Sequence, residues 1–263
     1  MMRNVHRLAL GVALLATASA EAQLGADIAR RHAERAGRKL RELESLYAEG
    51  RTFIGAETMP FKSWAMRPDK LKVESAAGSR RVVQCFDGVH EPWFSHTELR
   101  GAAPQRMAPG DARDFIGNAD FDGPLVEPGR KGYSVDYAGD EEIDGARAFK
   151  LLLMDARDDI SFYWVDARTY EIVKRSVYRV MDGRRTAVET SFRDFRLVGG
   201  VLQPHRIETR IGDKSLYVMV IDRMEANPRR WPKDLFAPPP GWPALRKPAD
   251  AIADELEKQA GRN

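Results

Sequence analysis

The chain has 263 residues, 43% of them hydrophobic, enough apolar material for one large or two small domains. Its 42 basic and 39 acidic residues nearly cancel to a net charge of +3. With no basic block or stripe, nucleic acid is excluded as a natural partner.

Residues 1–22 read as an export signal. Arg3, His6 and Arg7 form a charged start, 8–15 is an apolar core, and Ala18-Ser19-Ala20 and Ala20-Glu21-Ala22 offer small-x-small cleavage sites. The apolar run is too short to span a bilayer. The reading is therefore a cleaved signal and a periplasmic, non-lipid-anchored product, its domain running over 23–240 and a proline-rich tail over 241–263. The only cysteine, Cys85, lies far from the mature start and rules out both lipid attachment there and an intramolecular disulfide.

The spacing predicts a helix over 24–46. Ile28, Ala29, Ala33, Ala36, Leu40, Leu43 and Leu46 recur at three- and four-residue steps, with arginine and glutamate between them. The alanine-rich side lacks Trp and Phe, which favours core contact over a membrane surface. Strands follow over 46–55, 59–66, 70–74 and 80–86. Residues 87–132 change character, rich in Gly, Pro, Asp and Ala, and read as an insertion with an exposed loop at 101–110 and a short helix at 111–118. Long insertions of this kind are often lids or binding loops.

Strand content resumes at 133–137 and 146–154. Then comes Phe162-Tyr163-Trp164-Val165-Asp166-Ala167-Arg168-Thr169-Tyr170-Glu171-Ile172-Val173-Lys174, a hairpin with a polar bend whose Asp can bond its own backbone. Asp182-Gly183-Arg184, Gly199-Gly200 and Gly212-Asp213-Lys214 connect further strands at 186–195, 201–211 and 215–224, an antiparallel meander. In 215–224 both alternating sets are apolar, so cover on both faces is expected. Residues 235–240 form a stiff extended segment, and 249–259 a short helix.

Catalytic and metal motifs are thin. His90 and His96 flank Pro92-Trp93 and would need Glu91 or Glu98 as a third ligand. Asp155, Asp158 and Asp159 fit no calcium-loop spacing and read as a solvated turn. There is no Gly-x-Ser-x-Gly, Walker loop or His-Glu-x-x-His. The expectation is a non-enzyme without cofactor or metal.

In order, the chain carries Arg67-Pro68-Asp69-Lys70-Leu71-Lys72-Val73-Glu74, Phe86-Asp87-Gly88 and Phe121-Asp122-Gly123-Pro124-Leu125. Asp144-Gly145-Ala146-Arg147-Ala148-Phe149-Lys150-Leu151, the 163–174 hairpin and Asp194-Phe195-Arg196-Leu197-Val198-Gly199-Gly200-Val201-Leu202-Gln203-Pro204 complete the series. Together, over about residues 24–240, these resemble the bacterial outer-membrane lipoprotein-sorting proteins, the LolA/LolB-like superfamily. The resemblance implies a mainly β (α+β) fold: a strongly curved antiparallel sheet forming an incomplete barrel, with the N-terminal helix and the inserted segment on its concave side, holding acyl chains.

Such binding needs no catalytic group. Each buried methylene contributes about 0.8 kcal/mol, so a chain of about 16 carbons gains roughly 12 kcal/mol before costs. The apolar lining candidates are Trp64, Phe86, Trp93, Phe115, Phe149, Phe162, Trp164, Tyr178, Phe192, Ile207 and Met219. The expected partners are lipid or the acyl chains of lipoproteins, and inner- or outer-membrane envelope proteins, with the protein itself a monomer. The competing reading is an envelope sensor or interaction module on the same scaffold.

Overall fold

The structure, a computed structural model, describes residues 5–96, 103–181 and 183–245. Helix α1 spans Val5–Glu42 and is followed by β1 (Ser45–Ile54), β2 (Glu57–Met66), β3 (Lys70–Ala77), β4 (Arg80–Phe86), β5 (Trp93–His96) and β6 (Gln105–Arg106). After α2 (Pro109–Ala119) and a 3-10 turn at Pro128–Lys131 come β7 (Ser134–Ile143), β8 (Ala146–Met154), β9 (Ile160–Asp166) and β10 (Ile172–Met181). Then follow β11 (Arg184–Val198), β12 (Val201–Ile211) and β13 (Lys214–Ala226).

All the strands form one 13-stranded antiparallel sheet in the order β6-β5-β4-β3-β2-β1-β13-β12-β11-β10-β9-β8-β7. Each meander pairs sequence neighbours; the joint is where the last strand, β13, lies beside the first. Between β7 and β8 the turn is Asp144-Gly145, both at positive φ (52° and 79°), as a two-residue hairpin requires. Register shifts at Glu49/Gly50, Tyr137/Asp140, Ile172/Lys174 and Thr209/Arg210 add twist and bend. The sheet curves strongly and stays open, an incomplete barrel with β6 and β7 as free edges.

Successive side chains alternate between the two faces. Both helices lie on one face, the concave one. Helix α1 sets Ile28 and Ala29 among Leu125, Val135, Leu151, Leu153, Tyr163 and Val165. It comes this close to β7 because residue 25 is glycine: a Cβ there would lie 2.7 Å from the Val135 carbonyl oxygen. The helix then crosses one end of the half-barrel. Arg31 and His32 meet Tyr170 in the β9–β10 turn, Lys39 lies on Gly200 of the β11–β12 turn, and the carbonyls of Leu40 and Leu43 accept from Arg67 of the β2–β3 turn. It is kinked at Gly37 (φ 55°) and stops at Glu42, earlier than its periodicity suggests, because the chain must enter β1 at Ser45.

Helix α2 answers the sequence expectation of a helix in the insertion. Phe115 and Ala119 pack with Phe86 and Met107, beside Leu71, Val73 and Phe94. From its other flank Arg113 reaches Asp159 at 2.6 Å, and Asp114 pairs with Arg179. The helix thus straps the β3–β5 half to the β8–β10 half. The preceding stretch is less loop-like than expected, since Trp93–His96 and Gln105–Arg106 extend the sheet as edge strands.

The stretch expected to be extended from residue 235 instead begins as a turn, the Leu235 and Ala237 N–H groups donating to the carbonyls of Pro232 and Asp234. On the convex face it lays Leu235 and Phe236 over Cys85, with Trp64, Met66, Trp93 and Trp231 around them. The expectation of cover on both faces of the last strand is corrected: in β13 only Ile221 is buried and Leu216 to Val220 are half-buried. Val218 and Val220 stand on the convex side beside Phe53, Glu208, Arg51 and Arg206, whose side chains shield them in place of a second layer. The predicted helix at 249–259 lies outside the described residues.

Candidate functional site: the concave wall

The apolar residues of the concave wall fall into separate clusters. One sits under α1, one under α2, and a third joins Ala48, Phe61 and Ile221 with Ile207, Met219 and Met224 without either helix. Strand register extends that third region sideways: Val177 faces Val188, and Phe192 faces Ile207, which faces Met219. Each of these is only half-buried. Between the helices, then, the wall is an apolar trough with its side chains partly open.

The sequence candidates divide between the two faces. Phe86, Phe115, Phe149, Phe192, Ile207 and Met219 share the concave side. Phe86 is fully buried and Phe115 nearly so beneath α2, and Phe149 packs beside the α1 cluster against Tyr170, so Phe192, Ile207 and Met219 are the ones bordering the open trough.

Trp64, Trp93, Phe162, Trp164 and Tyr178 stand on the convex side. Trp164 is 4% exposed there although no helix covers it. Its roof is made of charge: Lys150 and Lys174 lie 5.1 and 4.6 Å from the ring centre, and the indole N–H donates to Glu141 at 2.7 Å. The lysine stems bury the aromatic while their ammonium groups pair with Glu141 and Glu189.

Sequence reasoning missed a polar row crossing the trough. Register aligns Tyr163, Arg175, Thr190, Thr209 and Tyr217 side by side on β9 through β13. Thr190 and Thr209 share a hydroxyl hydrogen bond at 3.2 Å. Burial pushes the Tyr163 phenol upward, and the hydrogen-bonded Arg175 opposes that.

The remaining candidates are held in local structure. His90 Nδ1 lies 2.7 Å from Asp87, whose other oxygen accepts from the Val89 and His90 N–H groups, and Glu91 pairs with Arg106. Asp155 accepts the backbone N–H groups of Arg157 and Asp159, which makes it the organiser of a turn. Among the described residues no three His, Cys, Asp or Glu side chains gather as metal ligands. Cys85 is buried and its thiol is pushed up to about 12 by burial, so it behaves as a small hydrophobe. A hollow of about 270 Å³ beneath the C-terminal segment is lined by Lys70, Asp87 and Lys233 as well as Met66 and Trp231, and lies on the convex side. No helix among the described residues is long and apolar enough to cross a membrane.

No protein-family model and no curated protein sequence matches the chain. Solved structures do. A DUF1329 family protein from Desulfovibrio piger superposes with TM-score 0.58 at 12% identity, covering 82% of this chain and 97% of its own. A putative outer membrane lipoprotein-sorting protein domain from Vibrio parahaemolyticus gives 0.56 at 12% identity, covering 81% and 97%. A LolA superfamily protein from Nitrosomonas europaea gives 0.50 at 17% identity, covering 76% and 95%.

Proposed function

We propose that this chain, which has the LolA/LolB-like fold, is an exported, non-catalytic binder and carrier of lipid or of lipidated protein. The observation that carries the reading is the trough: Val177, Val188, Phe192, Ile207 and Met219 form an apolar strip that neither helix covers. Leaving such a strip half-open in water is unfavourable by about 25 cal/mol for each Å² of apolar area, and a hydrocarbon chain laid along it removes that cost. Contacts of this kind are non-directional, so a hydrocarbon tail can leave the strip without breaking specific bonds of its own. The DUF1329, lipoprotein-sorting and LolA superfamily structures support the same reading at the level of the scaffold. In this proposal residues 1–22 are removed on export, and the mature protein works in the periplasm with envelope proteins as donor and acceptor.

The test is mass spectrometry of an organic extract of the protein purified from its own envelope, with uptake of a fluorescent fatty acid by the stripped protein alongside. Reproducible co-purifying lipid and saturable uptake support the carrier. A lipid-free preparation that takes up no probe removes it and leaves a scaffold for protein contacts.

A further inference from the structure

Arginine on the concave face of this sheet has two different fates. Arg179 is satisfied by Asp114 of α2. Arg175, four residues earlier on the same face of β10, has no carboxylate partner among the described residues. Its guanidinium Nε is buried and has no acceptor at all. Among the described residues its side-chain partner is the Tyr163 hydroxyl.

The residue as a whole is half-buried, but a guanidinium N–H that is buried without an acceptor is unfavourable. A structural role would be served by pairing it, as nearby Lys174 is paired with Glu189 on the other face of the same strand. Along its row the neighbours of Arg175 are instead neutral hydroxyls; the carboxylate of Asp120, whose charge is felt at Tyr163, is paired with Lys131 at 2.6 Å. Tyr163 flanks it on β9, Thr190 on β11, and Thr209 and Tyr217 continue the row. Apolar residues border the row along the strands, with Val177 and Val188 on one side and Phe192, Ile207 and Met219 on the other. A planar cation flanked by hydroxyl groups, set within a greasy strip, is complementary to a molecule with one oxyanion and a long hydrocarbon tail.

We infer that Arg175, with Tyr163 beside it, is a head-group subsite that makes the trough selective for anionic amphiphiles, an acyl chain ending in a carboxylate or phosphate. This rests on the lipid-binding reading above and narrows it: the tail supplies affinity along the apolar strip, and the oxyanion fixes which end lies at the polar row. The charge-assisted fork would complete the donor set that the fold leaves open.

The experiment is a displacement titration on the delipidated full chain with a fluorescent fatty-acid probe, using oleate, oleoyl lysophosphatidate, methyl oleate, and inorganic phosphate alone. Oleate or the lysophosphatidate should displace the probe at least about tenfold more tightly than methyl oleate, and the tighter of the two names the head group. Inorganic phosphate alone should not compete. The variant Arg175→Met should lose that preference while methyl oleate binding stays unchanged, and Arg175→Lys, which keeps the charge without the fork, should retain part of it. Circular dichroism of both variants checks the fold. If oleate, lysophosphatidate and methyl oleate bind equally, or Arg175→Met leaves the preference intact, the subsite is wrong and the carrier stands. If no acyl ligand displaces the probe, both fall. If inorganic phosphate competes as well as the amphiphiles, the site is a simple anion site and this inference is overturned.

Discussion

Asp114 on α2 forms an ion pair with Arg179 on β10, and this contact, with Arg113–Asp159 beside it, fastens the helix across the open side of the half-barrel. The opposite flank of α2 is apolar, through Phe115 and Ala119. Helix α2 is therefore anchored by burial on one half of the sheet and by charge on the other.

Charge at a half-exposed site is weak and screened by salt, contributing at most about 1 kcal/mol per pair. The double variant Arg113→Ala, Asp114→Ala should accelerate fatty-acid uptake several-fold in stopped-flow measurements at low ionic strength, with a small change in melting temperature. Adding salt should speed the parent protein toward the variant. An uptake rate insensitive to both changes would show that α2 does not limit access.

Glu171 in the β9–β10 turn gives a pH signature. Burial pushes its carboxyl from the ordinary 4.5 up to about 7, with Arg35 of α1 pulling the other way. Since the folded state holds the proton more tightly than the unfolded chain, the associated stability is fully present below about 4.5 and is lost as pH rises through 7. Glu171→Gln should therefore raise stability at pH 8 by about 1–2 kcal/mol, allowing for solvent screening, and change little at pH 4.5. His32, whose charged form burial disfavours, is common to parent and variant and cancels in the comparison. Denaturant melts at the two pH values decide it.

The two faces of the sheet should respond differently to substitution. Trp164→Ala, at one of the lining candidates that the sequence offers, removes a convex-face indole roofed by Lys150 and Lys174. It should cost about 3–5 kcal/mol of stability and leave probe affinity unchanged in the folded fraction. Met219→Gln, similar in length and on the concave side, should do the reverse, weakening probe binding about tenfold with little loss of stability. Equal effects of both on binding would remove the distinction between the faces.

Gly25→Ala tests how α1 docks. The new methyl would meet the Val135 carbonyl oxygen at 2.7 Å, so the helix must lift from β7. A loss of about 1–3 kcal/mol is expected, read by thermal melts. A neutral outcome would mean that the helix shifts without strain.

Most strands and hairpin turns were legible because Gly, Pro and Asp punctuate runs rich in apolar, aromatic and β-branched residues. Arg80–Phe86, Ala146–Met154 and Val201–Ile211 match their sequence bounds. The facing of side chains was less legible. In Phe162-Tyr163-Trp164-Val165 every residue is apolar or aromatic, so period alone cannot say which pair faces the helices. Only the long-range placement of Lys150 and Lys174 reveals that Trp164 points outward. Arg175 was hidden the same way, since it follows Lys174 and sequence alone does not tell which of the two cations shares the helices' face. Trp93–His96 escaped notice because Pro92 and the surrounding Gly-rich sequence mimic a loop.

An open sheet has two seams at which another copy of the chain could add its own backbone. At β6 the seam is only two residues long. At β7 it is ten residues long, and there the strand carries Asp136, Asp140, Glu141 and Glu142 and is broken by a bulge at Gly139. Two such edges brought together would set carboxylate against carboxylate along an interrupted ladder. The same openness that leaves the trough accessible is thereby kept from seeding stacks of half-barrels.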